Sequence, residues 1–267
     1  MHEKYLTYSR YLQLDQLLSL QRPRSGAEGG EPEHDEMLFI VIHQVYELWF
    51  KQLLHELDYV KRLLGRDDLP RALHAMKRVL TILKVQVAQL DILETMTPLE
   101  FLAFRKRLEE ASGLESFQFR ELEFLLGLKR AEVFDRYPER SEARARLEAR
   151  FGEPTVWDAF LRYLAGRGHD VPAALLERDV TQPISASSEV QALLVAIYRT
   201  DPELVQLCER LIDLDEGVQE WRYRHVKMVE RTIGAKPGTG GTAGAEYLRL
   251  TLHRPVFPDL WEIRSQL

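Results

Sequence analysis

Cysteine is almost absent from this 267-residue chain, where Cys208 stands alone. One thiol cannot close an internal disulfide, attach a haem through a CxxCH pair, or hold an iron–sulfur cluster or a multi-cysteine zinc ion. Positive charge is also in deficit, with 36 Lys and Arg against 42 Asp and Glu and a net charge of −6. Binding to nucleic acid or to anionic membranes needs a clustered basic face, so neither partner is expected. No apolar run reaches the ~18 residues of a membrane-crossing helix. The amino terminus, MHEKYLTYSRYLQLDQ, lacks the apolar core and cleavage site of an export signal. A soluble cytoplasmic protein is the expectation. Period-2 segments of useful length are missing too, which leaves an all-α fold.

What is present is helix. Residues 36–64 run without Gly or Pro until Gly65, and a second long run covers 69–95. Thr97-Pro98-Leu99-Glu100 supplies a capping box for a helix ending near residue 110. Shorter helices are expected over 117–127, 129–136, 141–150, 155–165, 171–178 and 188–199. The last long helix starts after Asp201-Pro202 and runs to Ile233, stopping at Gly234. Residues 21–34, rich in Gly, Pro and charge, read as a mobile loop. Residues 234–245, GAKPGTGGTAGA, hold five of the 15 glycines. No sharp linker divides the chain, so 1–267 reads as one domain, with a small helical subdomain inserted near 130–180.

In the last long helix Leu204, Leu207, Leu211, Leu214, Val218, Trp221, His225 and Met228 follow a 3,4,3,4,3,4,3 spacing and form one core-facing stripe. Arg222 and Lys227 fall with Glu209, Asp213, Glu216 and Glu220 on the flanks, as on a solvated face. His225 thus stands where an apolar residue belongs. It is either a satisfied core histidine or a metal or haem-iron ligand. In the first long helix Phe39, His43, Tyr46 and Phe50 share a narrow sector, and apolar residues cover most of the remaining circumference. Such a helix belongs at the centre of a bundle, with His43 among aromatics.

Phe101 and Arg105 lie one turn apart, so an aromatic ring and a guanidinium share a face. The pair suits either a carboxylate clamp or an ordinary surface arginine. Gly238-Thr239-Gly240-Gly241-Thr242-Ala243 matches G-x-G-x-x-A, but a helix precedes it instead of a strand, which rules out the dinucleotide reading. The loop is either a nest for a small anion or a flexible connection. The only Glu-x-x-His sits in the loop at 31–34, and HExxH and GxSxG are absent.

Taken together and in order, these segments resemble the tryptophan 2,3-dioxygenase family, haem enzymes that open the indole ring. The resemblance rests on Leu6-Thr7-Tyr8, Tyr11-Leu12-Gln13-Leu14-Asp15, His34-Asp35-Glu36-Met37-Leu38-Phe39-Ile40, His43-Gln44 and Glu47-Leu48-Trp49. It continues through Leu93-Glu94-Thr95-Met96-Thr97-Pro98, Phe104-Arg105, Ser112-Gly113 and Gln118-Phe119-Arg120. Trp221-Arg222-Tyr223-Arg224-His225 and Gly238-Thr239-Gly240-Gly241 complete it. It implies an all-α, haem-binding helical bundle carrying one b-type haem per subunit, with iron on His225 and Ser112 and Gly113 at the haem edge. It further implies that the catalytic-site histidine His43 meets the indole N–H as a hydrogen-bond acceptor. Phe39 and Phe101 would pack the ring, Arg105 would take the substrate carboxylate, and Thr239 the amino-acid end. Tyr8, Tyr11 and Leu12, within an amino-terminal segment 1–20, would complete the pocket of a neighbouring subunit in a homotetramer.

The implied reaction adds both atoms of O2 across the C2–C3 bond of L-tryptophan to give N-formyl-L-kynurenine, the entry to the kynurenine pathway of tryptophan catabolism. Two departures stand out. Phe101 replaces the tyrosine of some members, and Ser112-Gly113-Leu114-Glu115-Ser116 replaces the usual Ser-Gly-Phe-Gln-Ser. A haem monooxygenase relative acting on a substituted tryptophan or indole, and a noncatalytic haem sensor, are the competing expectations.

Overall fold

Two runs free of glycine become long helices, and a third long helix forms through Gly217. The computed structural model describes residues 5–27, 29–109, 111–239 and 244–267, among which there is no strand. Helices α1 (Tyr8–Leu12) and α2 (Leu14–Leu17) bury no residue. Helix α3 spans His34–Leu64, with Asp35 and Glu36 in its first turn and Lys61 and Arg62 in its last, the charge order its dipole favours. Helix α4, Leu69–Leu93, starts where Asp68 accepts the Arg71 N–H.

Helix α5, Pro98–Arg105, carries the expected capping box on Thr97 and Glu100. It then tightens into a 3-10 turn over Lys106–Leu108, and Glu109 adopts a φ of +52°. The α-helix therefore ends short of residue 110, which itself lies outside the described residues. Helices α6 (Phe117–Leu125), α7 (Glu142–Phe151) and α8 (Val156–Gly166) follow, then α9 (Ala173–Leu176), α10 (Ser188–Thr200) and α11 (Pro202–Ile233). Two short helices that the sequence reading did not anticipate, α12 (Ala245–Arg249) and α13 (Pro258–Glu262), close the described chain.

Helix α4 lies between α3 and α11, and these three long helices form the frame. Helices α5, α6 and α8 pack on α3, while α10, α12 and α13 pack on α11. Leu204, Leu207, Leu211, Leu214 and Val218 are buried, as the stripe on α11 requires. Asp215 is also buried on this helix. Its carboxylate accepts the Val256 and Phe257 N–H groups and the Trp261 indole N–H, each at 2.9 Å, which fixes the carboxy-terminal segment.

Four expectations need correction. Residues 131–136 form a 3-10 helix, not an α-helix. Residues 171–178 yield only the four-residue α9, because Pro172 and the exposed Ala173 and Ala174 give little to bury. Helix α3 is not covered all round, since Met37, Val41 and Leu48 are exposed on one stripe. The loop expected to be mobile is tied at Arg24 and Ser25: Glu36 accepts the Arg24 N–H at 2.8 Å, the Ser25 N–H at 2.9 Å and the Ser25 hydroxyl at 2.5 Å. The Ser25 hydroxyl oxygen in turn accepts the Glu33 N–H at 2.8 Å.

The apolar interior has two parts. The main core follows the long helices, and a smaller cluster of Phe124, Val133, Tyr137 and Leu147 joins α6 to α7. Helix α8, by contrast, contributes Val156, Trp157, Phe160, Leu161 and Leu164 to the main core. Among the described residues no helix is long and apolar enough to cross a membrane.

Candidate active site

The frame leaves a cavity between α3, α5, α6 and the far end of α11, closed on another side by α12. His43 comes to it from α3 and His225 from α11, 182 positions later in the chain. His225 is therefore not a core intruder. The α11 stripe is apolar core up to Val218 and becomes cavity wall from Trp221 onward.

His43 is braced from two sides. Its Nδ1 lies 2.7 Å from the Phe39 carbonyl oxygen, one turn back on α3. A carbonyl only accepts, so Nδ1 carries the proton and the neutral ring keeps its Nε2 lone pair for another donor. Burial pushes the His43 pKa down, outweighing the Phe39 carbonyl and the nearby Glu47, both of which act upward. Phe39 sits against the imidazole with ring centroids 4.1 Å apart. Phe101 and Phe104 pack behind Phe39 at 5.8 and 5.5 Å, so two phenylalanines fix the ring that fixes His43. The Phe101 ring is buried, and its contact with Phe104 is edge-to-face.

His225 lies parallel to Trp221, with ring planes 4° apart and centroids separated by 5.1 Å. Tyr46, Phe50 and Phe119 surround Trp221 at 5.0–6.3 Å. The Tyr46 hydroxyl donates to the Gln86 carbonyl at 2.7 Å, which anchors this wall to α4. Neither ring nitrogen of His225 has a hydrogen-bond partner among the described residues. Burial, aided by His43 and Arg120, lowers its pKa to about 4, so the imidazole is neutral. A neutral imidazole of this kind has a lone pair available to coordinate or to accept a hydrogen bond.

Arg105 and Phe101 do share a face, and both line the cavity. The Arg105 guanidinium donates to the Pro237 carbonyl of the glycine segment. From the same segment Thr239 also lines the cavity, and its hydroxyl donates to the Ala111 carbonyl at 2.7 Å. Gly234 and Gly244 have φ of +61° and +62°, and a Cβ on Gly244 would stand 2.6 Å from the Lys236 carbonyl oxygen. Gly240, Gly241, Thr242 and Ala243 lie outside the described residues.

Ser112 and Gly113 line the cavity beside Leu114. The Ser112 hydroxyl accepts the Leu114 N–H at 3.3 Å, and Glu115 accepts the Ser112 N–H at 3.2 Å. Glu115 thus caps an exposed 3-10 turn and leaves the cavity wall to Leu114. Tyr8 and Tyr11 are strongly exposed, Leu12 less so, and none of the three lines this cavity.

Sequence reasoning passed over one group. Arg222 was expected on a solvated flank, yet it is buried, lines the cavity and lies 3.6 Å from Glu123. Arg120 and Glu123 of α6 line the same wall. The available signal was the run Trp221-Arg222-Tyr223-Arg224-His225, in which Arg222 is one turn from His225 and so points the same way.

The chain matches the family model described as tryptophan 2,3-dioxygenase over residues 1–145 and 158–267. It is 58% identical to the tryptophan 2,3-dioxygenase of Herpetosiphon aurantiacus over 98% of each chain. Identity is 55% to the protein of that name from Anaeromyxobacter sp. (strain K), over the whole of this chain and 98% of that one. With the Caulobacter vibrioides protein of the same name it is 46%, over 98% of each chain.

Proposed function

The chain belongs to the tryptophan 2,3-dioxygenase family, and on that premise we propose that it cleaves the indole C2–C3 bond of L-tryptophan with O2 to give N-formyl-L-kynurenine. The observation that carries the reading is the convergence of His43 and His225 on one apolar, aromatic cavity with a guanidinium, Arg105, in its wall.

The donor set fits a b-type haem. Among the described residues no three His, Cys, Asp or Glu side chains converge as they would to hold a metal ion directly. One unpartnered imidazole in an apolar cavity is, however, what a haem asks of its protein. In this reading His225 holds the iron, the Trp221 wall packs beside it, and Ser112 and Gly113 meet the macrocycle edge. The haem supplies the dioxygen chemistry that side chains lack.

The chain's own part is positioning. The His43 Nε2 accepts the indole N–H, because Nδ1 is already committed to Phe39. Phe39 and Phe101 cover the ring. Arg105 exchanges its Pro237 carbonyl for the substrate carboxylate, a charge-assisted and bidentate acceptor, while Thr239 meets the amino-acid end. The apolar lining excludes water from the reacting face. Tyr8, Tyr11 and Leu12 complete the pocket of a neighbouring subunit, which gives their exposed surface a partner. The subunits form a homotetramer.

The test is anaerobic reduction of haem-loaded protein, then L-tryptophan and 18O-labelled O2, with mass analysis of the product. Two labelled oxygens in N-formylkynurenine are expected. One labelled oxygen in an indole-derived product would overturn the reading in favour of monooxygenation. Haem binding without turnover would move it to a sensor.

A further inference from the structure

The cavity wall beneath His225 is short of negative charge. Glu123 of α6 accepts from the Arg120 guanidinium at 2.6 Å and from Arg130 at 2.8 Å, and its other oxygen lies 3.6 Å from Arg222. One carboxylate thus serves three guanidiniums. Arg130 reaches solvent, but the Arg120 and Arg222 side chains are only 10% and 5% exposed. Arg222 also donates to the Arg254 carbonyl at 3.3 Å, but a shared carboxylate and a neutral carbonyl only partly balance two buried cations, and charge left unbalanced there is expensive.

The neighbouring acids are spoken for. Asp215 gives its oxygens to the backbone of Val256 and Phe257, to Trp261 and to Gln219. Glu47, the remaining carboxylate of the cavity wall, accepts from Gln118 at 2.8 Å, and no ion pair joins it to Arg120 among the described residues. The Arg120 Nε is buried with no hydrogen-bond partner, although Arg120 lines the cavity. An orphaned donor on a guanidinium is a place kept for a planar anion, and a carboxylate matches its fork.

Resting on the haem reading above, we infer that Arg120 and Arg222, steadied by Glu123, form a socket for one carboxylate of the haem. Arg222 stands three residues before His225 on the same face of α11, so the group that His225 holds is the one whose substituents reach Arg222. Substrate also carries a carboxylate. The α5 guanidinium of Arg105 is tied to the glycine segment and belongs to a separate part of the wall.

The experiment blocks the carboxylates on the ligand. Full-length protein is loaded with haem or with haem dimethyl ester, and porphyrin release to excess apomyoglobin is timed from the Soret band. The ester is expected to leave at least about 30-fold faster, the lower end of what a buried charge loses with its partner. In Arg120→Gln and Arg222→Gln the two porphyrins should leave at similar rates, while Arg105→Gln keeps the gap. Equal release from the unaltered protein overturns the socket without any variant having to fold. So does a gap that survives in both socket variants, or one that disappears with Arg105→Gln. If Arg120→Gln instead abolishes the preference for L-tryptophan over tryptamine in spectral titrations, the anion is the substrate's and the inference fails. A missing Soret band with both porphyrins would overturn the haem reading itself, a different result from equal release.

Discussion

At His43 the chemistry reduces to an inventory of protons. With Nδ1–H given to the Phe39 carbonyl, Nε2 is an acceptor for as long as the ring stays neutral. Burial holds its pKa below the ordinary 6.5, so the acceptor persists through neutral pH. It is lost only as pH falls through the lowered value, when the ring gains its second proton. A neutral hydrogen bond contributes roughly 0.5–1.5 kcal/mol, so His43→Ala should lower kcat/KM for L-tryptophan by about two- to twelve-fold. The same variant should cost nothing further with 1-methyl-L-tryptophan, which has no indole N–H to donate. Steady-state rates with both substrates check this. A loss of several orders of magnitude, present with either substrate, would mean that His43 moves a proton in the reaction and that the acceptor role is wrong. Residue-level legibility was uneven for a physical reason. His225 and His43 were visible because each interrupts an apolar periodicity. Arg222 was hidden because an arginine on a helix flank looks solvated until its neighbour across the fold, Glu123, is known.

Elements were read most accurately where the signal was local. The capping box at Thr97–Glu100 and the glycine stop at Gly234 sit where expected, because a cap is decided within four residues. Segment 21–34 shows the opposite case. Its Gly, Pro and charge describe a loop, but its order comes from Glu36, which from sequence is only a first-turn acid of α3. Burial pushes the Glu36 pKa up, yet the Ser25 hydroxyl and the Arg24 and Ser25 N–H donors outweigh it, and the net shift is downward. A carboxylate lowered in the folded state adds stability above its unfolded pKa, and that stability disappears as pH falls through the folded value. The Arg24 and Ser25 amides should therefore exchange slowly at neutral pH and lose protection only as pH falls through the lowered Glu36 pKa, below the ordinary carboxylate range. Glu36→Gln places an amide against the same donors, so it should remove that protection at every pH and cost about 1–3 kcal/mol. Hydrogen exchange and urea unfolding measure the two effects. Unchanged protection in the variant would show that the loop is held by something other than this carboxylate.

For the molecule as a whole, the informative surface is the apolar part. Tyr5, Leu6, Tyr8, Tyr11 and Leu18 are each about 70% exposed or more, and Met37, Val41 and Leu48 continue an open stripe along α3. Surface of that kind needs a partner in water. Nothing within one chain's periodicity reveals which partner, because periodicity reports only which face is apolar; the all-α frame was legible and its assembly rested on resemblance alone. The subunit-exchange reading predicts complementation. A chain lacking residues 1–20 keeps His225 and should bind haem, but its neighbours receive no Tyr8, Tyr11 or Leu12. A full-length His225→Ala chain carries the segment and has no iron ligand. Each alone should be nearly inactive. Co-refolded, they should form mixed oligomers in which the segment of one chain covers the haem-bearing pocket of the other, so activity should return. Light scattering gives the mass of the mixture, and the N-formylkynurenine absorbance gives its rate. Mixed oligomers without recovered activity would mean that the segment serves its own subunit, and a truncated chain as active as the full one would mean that it serves none.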